Sequence, residues 1–441
     1  MFRIMTVALA LIGLFSASAR ADEALYKAID DDYSYLHDLY LYLHQHPELS
    51  FQEKNTSARI ASELRPLGFD VTEHVGGYGI VAVMKNGDGP TVLIRTDLDA
   101  LPVKEQTGLP YASTVAGVNQ MGEKVSVMHA CGHDIHMTTF VGTARELARL
   151  KDQWSGTVVM IGQPAEERGA GAKAMIGDGL FTRFPKPDFN IAFHDAANLP
   201  AGTIGYTKGY ALANVDSVDI EVHGIGGHGA YPQATKDPVV LAAQIVLALQ
   251  TIVSREISPL DPAVVTVGSI HGGTKHNIIG DSVHMQLTVR TYSDEVRNKV
   301  LDSIKRIAVN EGRVAGLPDD LLPEVSVSEE EHTPSMYNDP ALADRVIGAM
   351  KAAKVSDSII ETPPVMGGED FSQYERTGDH IPGFIFWVGA VDPEKYKEAM
   401  ANGETLPSLH SPFFAPKPKP TIETAVRAMT TAALELLGKK Q

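Results

Sequence analysis

Thr91-Val92-Leu93-Ile94 runs directly into Arg95-Thr96-Asp97-Leu98-Asp99, and two later stretches repeat that arrangement. Thr157-Val158-Val159-Met160-Ile161 leads into Gln163-Pro164-Ala165-Glu166-Glu167, and Asn190-Ile191-Ala192-Phe193 leads into His194-Asp195. Each is a short β-rich apolar run that stops in a polar cluster. Helical patterns over 137–150 and 169–180 separate the runs. Strands alternating with helices predict an α/β fold, a mainly parallel sheet covered by helices on both faces. Ligands of such sheets bind beyond the carboxyl ends of the strands, and every one of these clusters sits at such an end.

Working outward, residues 24–68 read as helical on both sides of the polar turn His46-Pro47-Glu48. From residue 213 the texture changes. Ser217 to His223 alternates as a half-buried strand does, followed by an apolar helix over 237–253, strands over 263–270 and 282–291, and a helix over 293–312. That order predicts a small α+β domain whose sheet carries two helices on one face. The first pattern then returns with the Gly-rich loop Val365-Met366-Gly367-Gly368-Glu369-Asp370, the apolar run Phe384 to Val388 and a closing helix over 421–437. The reading is a leader at 1–21, a larger domain split between 22–212 and 329–441, and an insert at 213–328.

The 441 residues are 44% hydrophobic and 21% charged, which excludes collagen-like, coiled-coil and wholly disordered chains. The net charge of −17, with no block of Lys and Arg, argues against a nucleic-acid or anionic-membrane partner. At the start, Arg3, the apolar run Ile4 to Phe15 and Ala19-Arg20-Ala21 have the layout of a secretory signal peptide. The run is shorter than the roughly 20 residues that cross a bilayer, and no other stretch reads as a span. Removing 1–21 takes away Arg3 and Arg20 and no acid, leaving −19. The expectation is an exported protein, periplasmic or secreted.

The single Cys131 excludes an internal disulfide. It stands in Met128-His129-Ala130-Cys131-Gly132-His133-Asp134-Ile135-His136, with His133 two residues on, so that in an extended segment both side chains share a side. Thiolate and imidazole are good ligands for zinc and similar ions. A lone cysteine also fits a core as a small hydrophobe; export and three histidines nearby bring the ligand reading level with it, and the cluster alone leaves both open. Glu166 and Glu167 close a buried strand and point different ways, so one carboxylate can bind metal while its neighbour serves as general base. His194 and His410 add two imidazoles. Five candidate ligands exceed the needs of one four-coordinate ion, so two metals are the simpler account.

These residues resemble the M20 metallopeptidase family. The likeness rests on Asp97-Leu98-Asp99-Ala100-Leu101-Pro102, Cys131-Gly132-His133-Asp134, Glu166-Glu167, His194, Gly227-His228-Gly229-Ala230, Asn277-Ile278-Ile279, Gly368-Glu369-Asp370-Phe371 and Leu409-His410-Ser411-Pro412. With His46 to Glu53, it is similar to the branch of hippurate hydrolases, N-acyl-amino-acid amidohydrolases and auxin-conjugate hydrolases. The resemblance implies a zinc-exopeptidase-like fold with an inserted dimerisation or lid domain. It further implies two divalent metals, zinc or manganese with cobalt possible, on Cys131, His133, Glu167, His194 and His410. Glu166 then matches the general base, Asp99 a carboxylate that orients a ligand, and His228 an oxyanion-stabilising residue given to the partner of a homodimer. Asn277, Gly368 and Arg290 fall at substrate-binding positions.

The chain departs from that pattern in three places. Asp97 stands where other branches place a metal-binding His, Gly280 replaces a usual Pro, and Asp195-Ala196-Ala197-Asn198 follows His194 where relatives often carry an aromatic-containing stretch. The activity expected is metal-dependent hydrolysis of the amide bond of a small N-acyl amino acid or short peptide. A dipeptidase or carboxypeptidase with the same site is the alternative within enzymes, and a two-domain solute-binding protein the alternative outside them.

Overall fold

The computed structural model of the chain describes the backbone of residues 2–439 and the side chains of residues 23–439. The leader expected at 1–21 lies outside the described side chains.

Along the chain, the first unit opens with α1 (Phe2–Gln45), α2 (Lys54–Leu64), β1 (Asp70–Val75), β2 (Gly79–Asn86), β3 (Thr91–Asp97), α3 (His133–Arg149), β4 (Trp154–Gln163), β5 (Phe189–Pro200) and β6 (Thr203–Tyr206). The second unit supplies β7 (Asn214–His223), α4 (Pro238–Thr251), β8 (Ala263–Gly272), β9 (Ser282–Thr291), α5 (Asp294–Val314) and β10 (Glu324–Val327). The chain then returns to the first unit with α6 (Pro340–Ala352), β11 (Ser358–Glu361), β12 (Gly383–Val391), α7 (Pro418–Leu436) and β13 (Gly438–Lys439).

The first unit is built on a nine-stranded sheet of order β1-β2-β4-β3-β5-β12-β6-β11, with β13 added to β4. Its centre, β4-β3-β5-β12, is parallel, as is the β6–β11 pair. The pairings β1–β2, β2–β4, β12–β6 and β13–β4 are antiparallel, so the sheet is mixed around a parallel core. Residues 92–97 of β3 are all buried, and so are six consecutive residues at the end of β4. Successive strand residues face opposite ways, so unbroken burial requires cover on both faces. The α1, α3, α6 and α7 helices supply much of that cover and share one core with the strands, around Tyr40, Trp154, Phe384 and Phe386.

In the second unit, β8-β9-β7-β10 form an antiparallel sheet, and β7 alternates buried and half-buried along its whole length. Its inward residues Val218, Ile220 and Val222 pack with Leu241, Ile245 and Leu249 of α4 and Val300 and Ile304 of α5. This is the expected α+β arrangement. The first compact unit comprises Met1–Gly209, Tyr337–Pro363 and Gln373–Gln441, the second Tyr210–Met336 and Pro364–Ser372. The loop around Gly368 therefore belongs to the second unit, although the sequence reading placed everything after 329 in the larger domain. The reason is local: Val365 N–H donates to the Ala211 carbonyl (3.0 Å) and Ala213 N–H to that of Gly367 (2.9 Å). A second difference concerns membranes. The segment Pro238–Glu256 is long and apolar enough to cross one by length and composition, whereas the sequence reading found no span beyond the leader. A third of it is buried, against the sheet of its own unit.

One buried ion pair fastens α1 to the loop that precedes α3 and to the first turn of α3. His44 Nδ1 lies 2.6 Å from Asp134 Oδ2 and Nε2 lies 3.3 Å from Glu105 Oε1. Burial lowers the imidazole pKa, but the hydrogen bonds and charges of Asp134 and Glu105 outweigh it and raise it to about 9. A raised pKa contributes stability that is complete below the unfolded value of about 6.5 and is lost as pH climbs through 9. In His44→Gln the melting temperature is expected to fall most below pH 6.5 and to converge on wild type above pH 9. The pH-dependent part is on the order of 3 kcal/mol. A pH-independent difference in a melting series would contradict this.

Candidate metal centre

The β3, β4 and β5 strands end together. Asp97 pairs with Gln163 across β3 and β4, and Ile94 with Ile191 across β3 and β5, a register that brings Asp97 level with His194 when continued. Beyond those ends the chain turns sharply. Ala165 takes a left-handed φ of +48° as β4 gives way to a 3-10 turn at Glu166–Arg168, and its N–H is held by Glu53 Oε1 at 2.8 Å. Both main-chain N–H groups of the turn then donate to one carboxylate, Glu166 to Asp99 Oδ1 (3.2 Å) and Glu167 to Asp99 Oδ2 (3.1 Å). Ser50 Oγ–H donates to the same group at 2.6 Å.

The cysteine segment departs from the expected extended form. Gly132 has φ +77° and serves as the N-cap of α3, with His133 the first helical residue. What brings Cys131 and His133 to one place is this left-handed corner. A side chain at 132 would fail twice, on the positive φ and because its Cβ would lie 2.4 Å from Asp195 Oδ2. His410 also has a positive φ (+66°), and its N–H donates to the Ala130 carbonyl at 2.8 Å. That bond ties the late imidazole to the cysteine loop across 280 residues of chain.

Five expected ligands meet here. Cys131 Sγ lies 3.5 Å from His194 Nε2 and 3.3 Å from His410 Nε2. His410 Nε2 lies 3.5 Å from Glu167 Oε2, and His133 Nε2 lies 3.8 Å from Glu167 Oε1 and 3.9 Å from Glu166 Oε2. The donor groups Cys131–His133–His194, Cys131–Glu167–His410 and His133–Glu166–Glu167 each fall within 4.8 Å. Cys131, His133 and Glu167 each belong to two of them, so the three groups form one continuous donor set. His133 Nε2 and Glu167 Oε1 are buried without a hydrogen-bond partner. Leaving such atoms unsatisfied costs about 1–3 kcal/mol each, and a cation between them removes the cost.

The electrostatics agree. Burial and the Glu167 charge push the Cys131 thiol well above its usual value, so a thiolate is stable here only beside a positive ion. Burial, opposed by His133 and reinforced by Asp99 and Asp97, lifts Glu167 to about 7. Burial and the neighbouring His133 and His194 lower His410, keeping its imidazole neutral and able to donate a lone pair.

Behind the donors lies a second layer, of which the resemblance pointed to Asp99 but not to the partners of Asp97. Asp99 orients His133 through its main-chain oxygen, 2.8 Å from Nδ1. Asp97, at the position where other branches carry a histidine, is held by Arg95 (2.8 Å) and contacts His136 Nδ1 (2.8 Å) and His133 Nε2 (3.5 Å). Burial disfavours its charge, yet His133, His136 and Arg95 together hold it well below the carboxylate range. The signal available beforehand was His136 itself, one helical turn after His133.

The four remaining sequence-derived residues fall in the second unit, outside this cluster. His228 is exposed and pairs with Ile278 in a short two-stranded antiparallel ribbon, where Gly229 N–H donates to the Asn277 carbonyl at 2.9 Å. Arg290 Nε donates to Thr288 Oγ1 at 3.0 Å, and a Cβ at Gly368 would meet Val215 at 2.3 Å and Arg290 Nη1 at 3.7 Å. The structure thus brings His228 together with Asn277, and Arg290 with Gly368.

Residues 93–433 match the model of peptidase family M20/M25/M40. The chain belongs to that family. It is 38% identical over 357 residues to thermostable carboxypeptidase 1 of Saccharolobus solfataricus, covering 80% of this chain and 85% of the relative. It is 36% identical over 376 residues to an N-acetylcysteine deacetylase of Bacillus subtilis, covering 85% and 93%. The crystal structure of the Bacillus subtilis YXEP protein, a dinuclear metal binding peptidase from the M20 family, superposes with a TM-score of 0.74 at 30% identity, covering 94% of this chain and 99% of that one. This M20 chain is accordingly a metal-dependent amidohydrolase or peptidase.

Because Cys131 joins two donor groups, Cys131→Ser is expected to lower the metal bound per chain, measured by elemental analysis, while circular dichroism stays unchanged. Full metal content in the variant would remove Cys131 from the ligand set.

Proposed function

We propose that this M20 chain is an exported hydrolase of N-acyl amino acids, of the hippurate hydrolase or aminoacylase kind, with Glu166 as its general base. The observation that carries the reading is the division of labour in the 166–168 turn. Glu167 directs both oxygens at ligand imidazoles, while the adjacent Glu166 stands 3.9 Å from His133 Nε2, at the edge of the same donor set.

Held by Cys131, His133, Glu167, His194 and His410, two zinc or manganese ions would supply Lewis acidity and make water nucleophilic near neutral pH. Glu166 accepts the proton of the attacking water and carries it to the leaving amine. Asp99 keeps Glu166 in place through the turn N–H groups, so proton transfer starts from a fixed position. His228, exposed on its two-stranded ribbon, hydrogen-bonds the developing oxyanion in the site of a partner subunit. Arg290 is assigned to the substrate carboxylate, and Asn277 and Gly368 to substrate binding, on the family resemblance.

A homodimer fits the outer face of α4, where Val239, Val240 and Leu247 are 51%, 55% and 73% exposed in an otherwise apolar helix. Light scattering at twice the chain mass, and a mature N-terminus at Asp22, are the measurements that check assembly and export. The acyl-amino-acid reading is favoured by likeness to the N-acetylcysteine deacetylase, the carboxypeptidase reading by likeness to the Saccharolobus enzyme. Release rates from N-acetyl, N-benzoyl and free-amine dipeptide substrates separate the two.

For the base, Glu166→Ala should keep its metal and lose about two to four orders of magnitude in kcat. Turnover near the wild-type rate with N-acyl substrates would sink the assignment.

A further inference from the structure

Asp195 is fully buried, stands immediately after a proposed ligand, and occupies the place where this sequence departs from the family pattern. Its carboxylate touches three parts of the site. Oδ1 lies 3.2 Å from His194 Nδ1, whose ring is also held by the Asp195 main-chain oxygen at 2.7 Å. The same Oδ1 lies 3.0 Å from His136 Nε2, and the Asp195 N–H meets that nitrogen at 3.0 Å. The whole carboxylate rests on the α-carbon of Gly132, the residue between Cys131 and His133, with all three of its terminal atoms within 2.5 Å of where a Cβ would stand.

His136 continues the line. Its Nδ1 contacts Asp97 Oδ1 at 2.8 Å, and Asp97 Oδ2 lies 3.5 Å from His133 Nε2. The result is an unbroken series, His194, Asp195, His136, Asp97, His133, with a ligand imidazole at each end and every middle member fully buried. The negative group also sits against the N-terminus of α3, where the peptide dipoles favour an anion and where no side chain caps the helix.

We propose that Asp195 is a positioning residue of the metal centre. It orients His194 with Nε2 toward Cys131, fixes the spacing between His194 and the Cys131–Gly132–His133 corner, and strengthens His194 as a donor by setting a negative charge 3.2 Å from the Nδ1 whose proton the Asp195 main-chain oxygen accepts. An outer carboxylate on a ligand histidine typically changes metal affinity about 10- to 100-fold. The inference rests on the metal-centre reading above and adds to it a residue outside the ligand set. It also assigns a task in holding metal to Asp195, which begins the stretch where the sequence departs from the family pattern.

The test uses full-length mature protein stripped of metal and titrated with zinc against a chromogenic chelator, wild type beside Asp195→Asn. Asparagine keeps the shape and the N–H to His136 but removes the charge. The expected result is two zinc ions in wild type and roughly 10- to 100-fold weaker binding of at least one in the variant. The melting temperatures of the metal-free proteins should stay close. The cobalt-loaded variant should also show a shifted thiolate-to-cobalt absorption band, which a merely structural role would not move. Unchanged zinc affinity and an unchanged cobalt band in Asp195→Asn would overturn the proposal. Failure of wild type to take up zinc or cobalt would overturn the metal-centre reading itself. If Asp195→Asn does not fold, Asp195→Ser makes the same comparison.

Discussion

The structure of the first unit turns on one constraint, the balance of charge in a layer that water does not reach. Asp97, Asp99 and Asp195 are fully buried at the ends of the sheet strands, with Glu167 close beside them. Facing them are Arg95, His133 and His136, also buried. A charge in such a place is tolerated only when it is paired and hydrogen-bonded, since the cost of desolvation otherwise exceeds what folding yields. The neighbouring elements are arranged to meet that demand. Arg95 grips Asp97 from within β3, its Nε donates to Gln163 Oε1 (3.1 Å) at the end of β4, and Tyr374 O–H donates to the same oxygen (2.9 Å). The acidic layer is thereby tied to the strands beneath it.

The same demand explains why the backbone is bent where it is. Non-glycine residues in the left-handed region cost on the order of 1 kcal/mol and persist only where the surroundings hold them. Ala165 and His410 are two such residues, and each is anchored by its own N–H, one to Glu53 and the other to the Ala130 carbonyl. Glu53 has a second oxygen without a partner, and burial with the nearby Asp99 charge raises its pKa to about 8. It therefore enters the acidic layer protonated at neutral pH, adding hydrogen-bond acceptance without adding charge. A turn that needs an acceptor has found one that does not worsen the local repulsion.

The parts of this fold that the sequence disclosed are those in which burial writes a local signature. The strands β3, β4 and β5 are apolar and end abruptly in acids and imidazoles, so both their existence and the place of the site could be read. Alternation along β7 and the long apolar α4 announced the second unit equally well. The hairpin of β1 and β2 was not read, because Asp-Val-Thr-Glu-His-Val over 70–75 has five exposed or half-buried residues and no regular alternation. The corner at Gly132 looked like an extended segment, since the residue that fills the missing side-chain space, Asp195, is 63 positions away. The membership of Pro364–Ser372 in the second unit depends on hydrogen bonds to Ala211 and Ala213, which lie about 150 residues earlier and leave no mark on the local composition. The candidate ligands were legible because their chemistry is carried by residue type. Of the groups behind them only Asp99 was named, through the resemblance, since any carboxylate or carbonyl oxygen brought within reach can orient an imidazole.

The two adjacent glutamates show how little backbone is needed to aim neighbouring carboxylates differently. In a 3-10 turn successive side chains are about 120° apart, so neighbours cannot face the same point. Asp99 accepts from the N–H of each, one oxygen per residue, which locks the turn and with it the angle between the side chains. Glu167 is thereby aimed inward, its Oε1 toward His133 and its Oε2 toward His410. Glu166 stands 3.9 Å from the same histidine through its Oε2. Exchange of their roles would require the turn to rotate, and rotation would break both hydrogen bonds to a buried, fully occupied carboxylate. The angle between the two glutamates thus comes from Asp99, which holds the turn through both N–H groups.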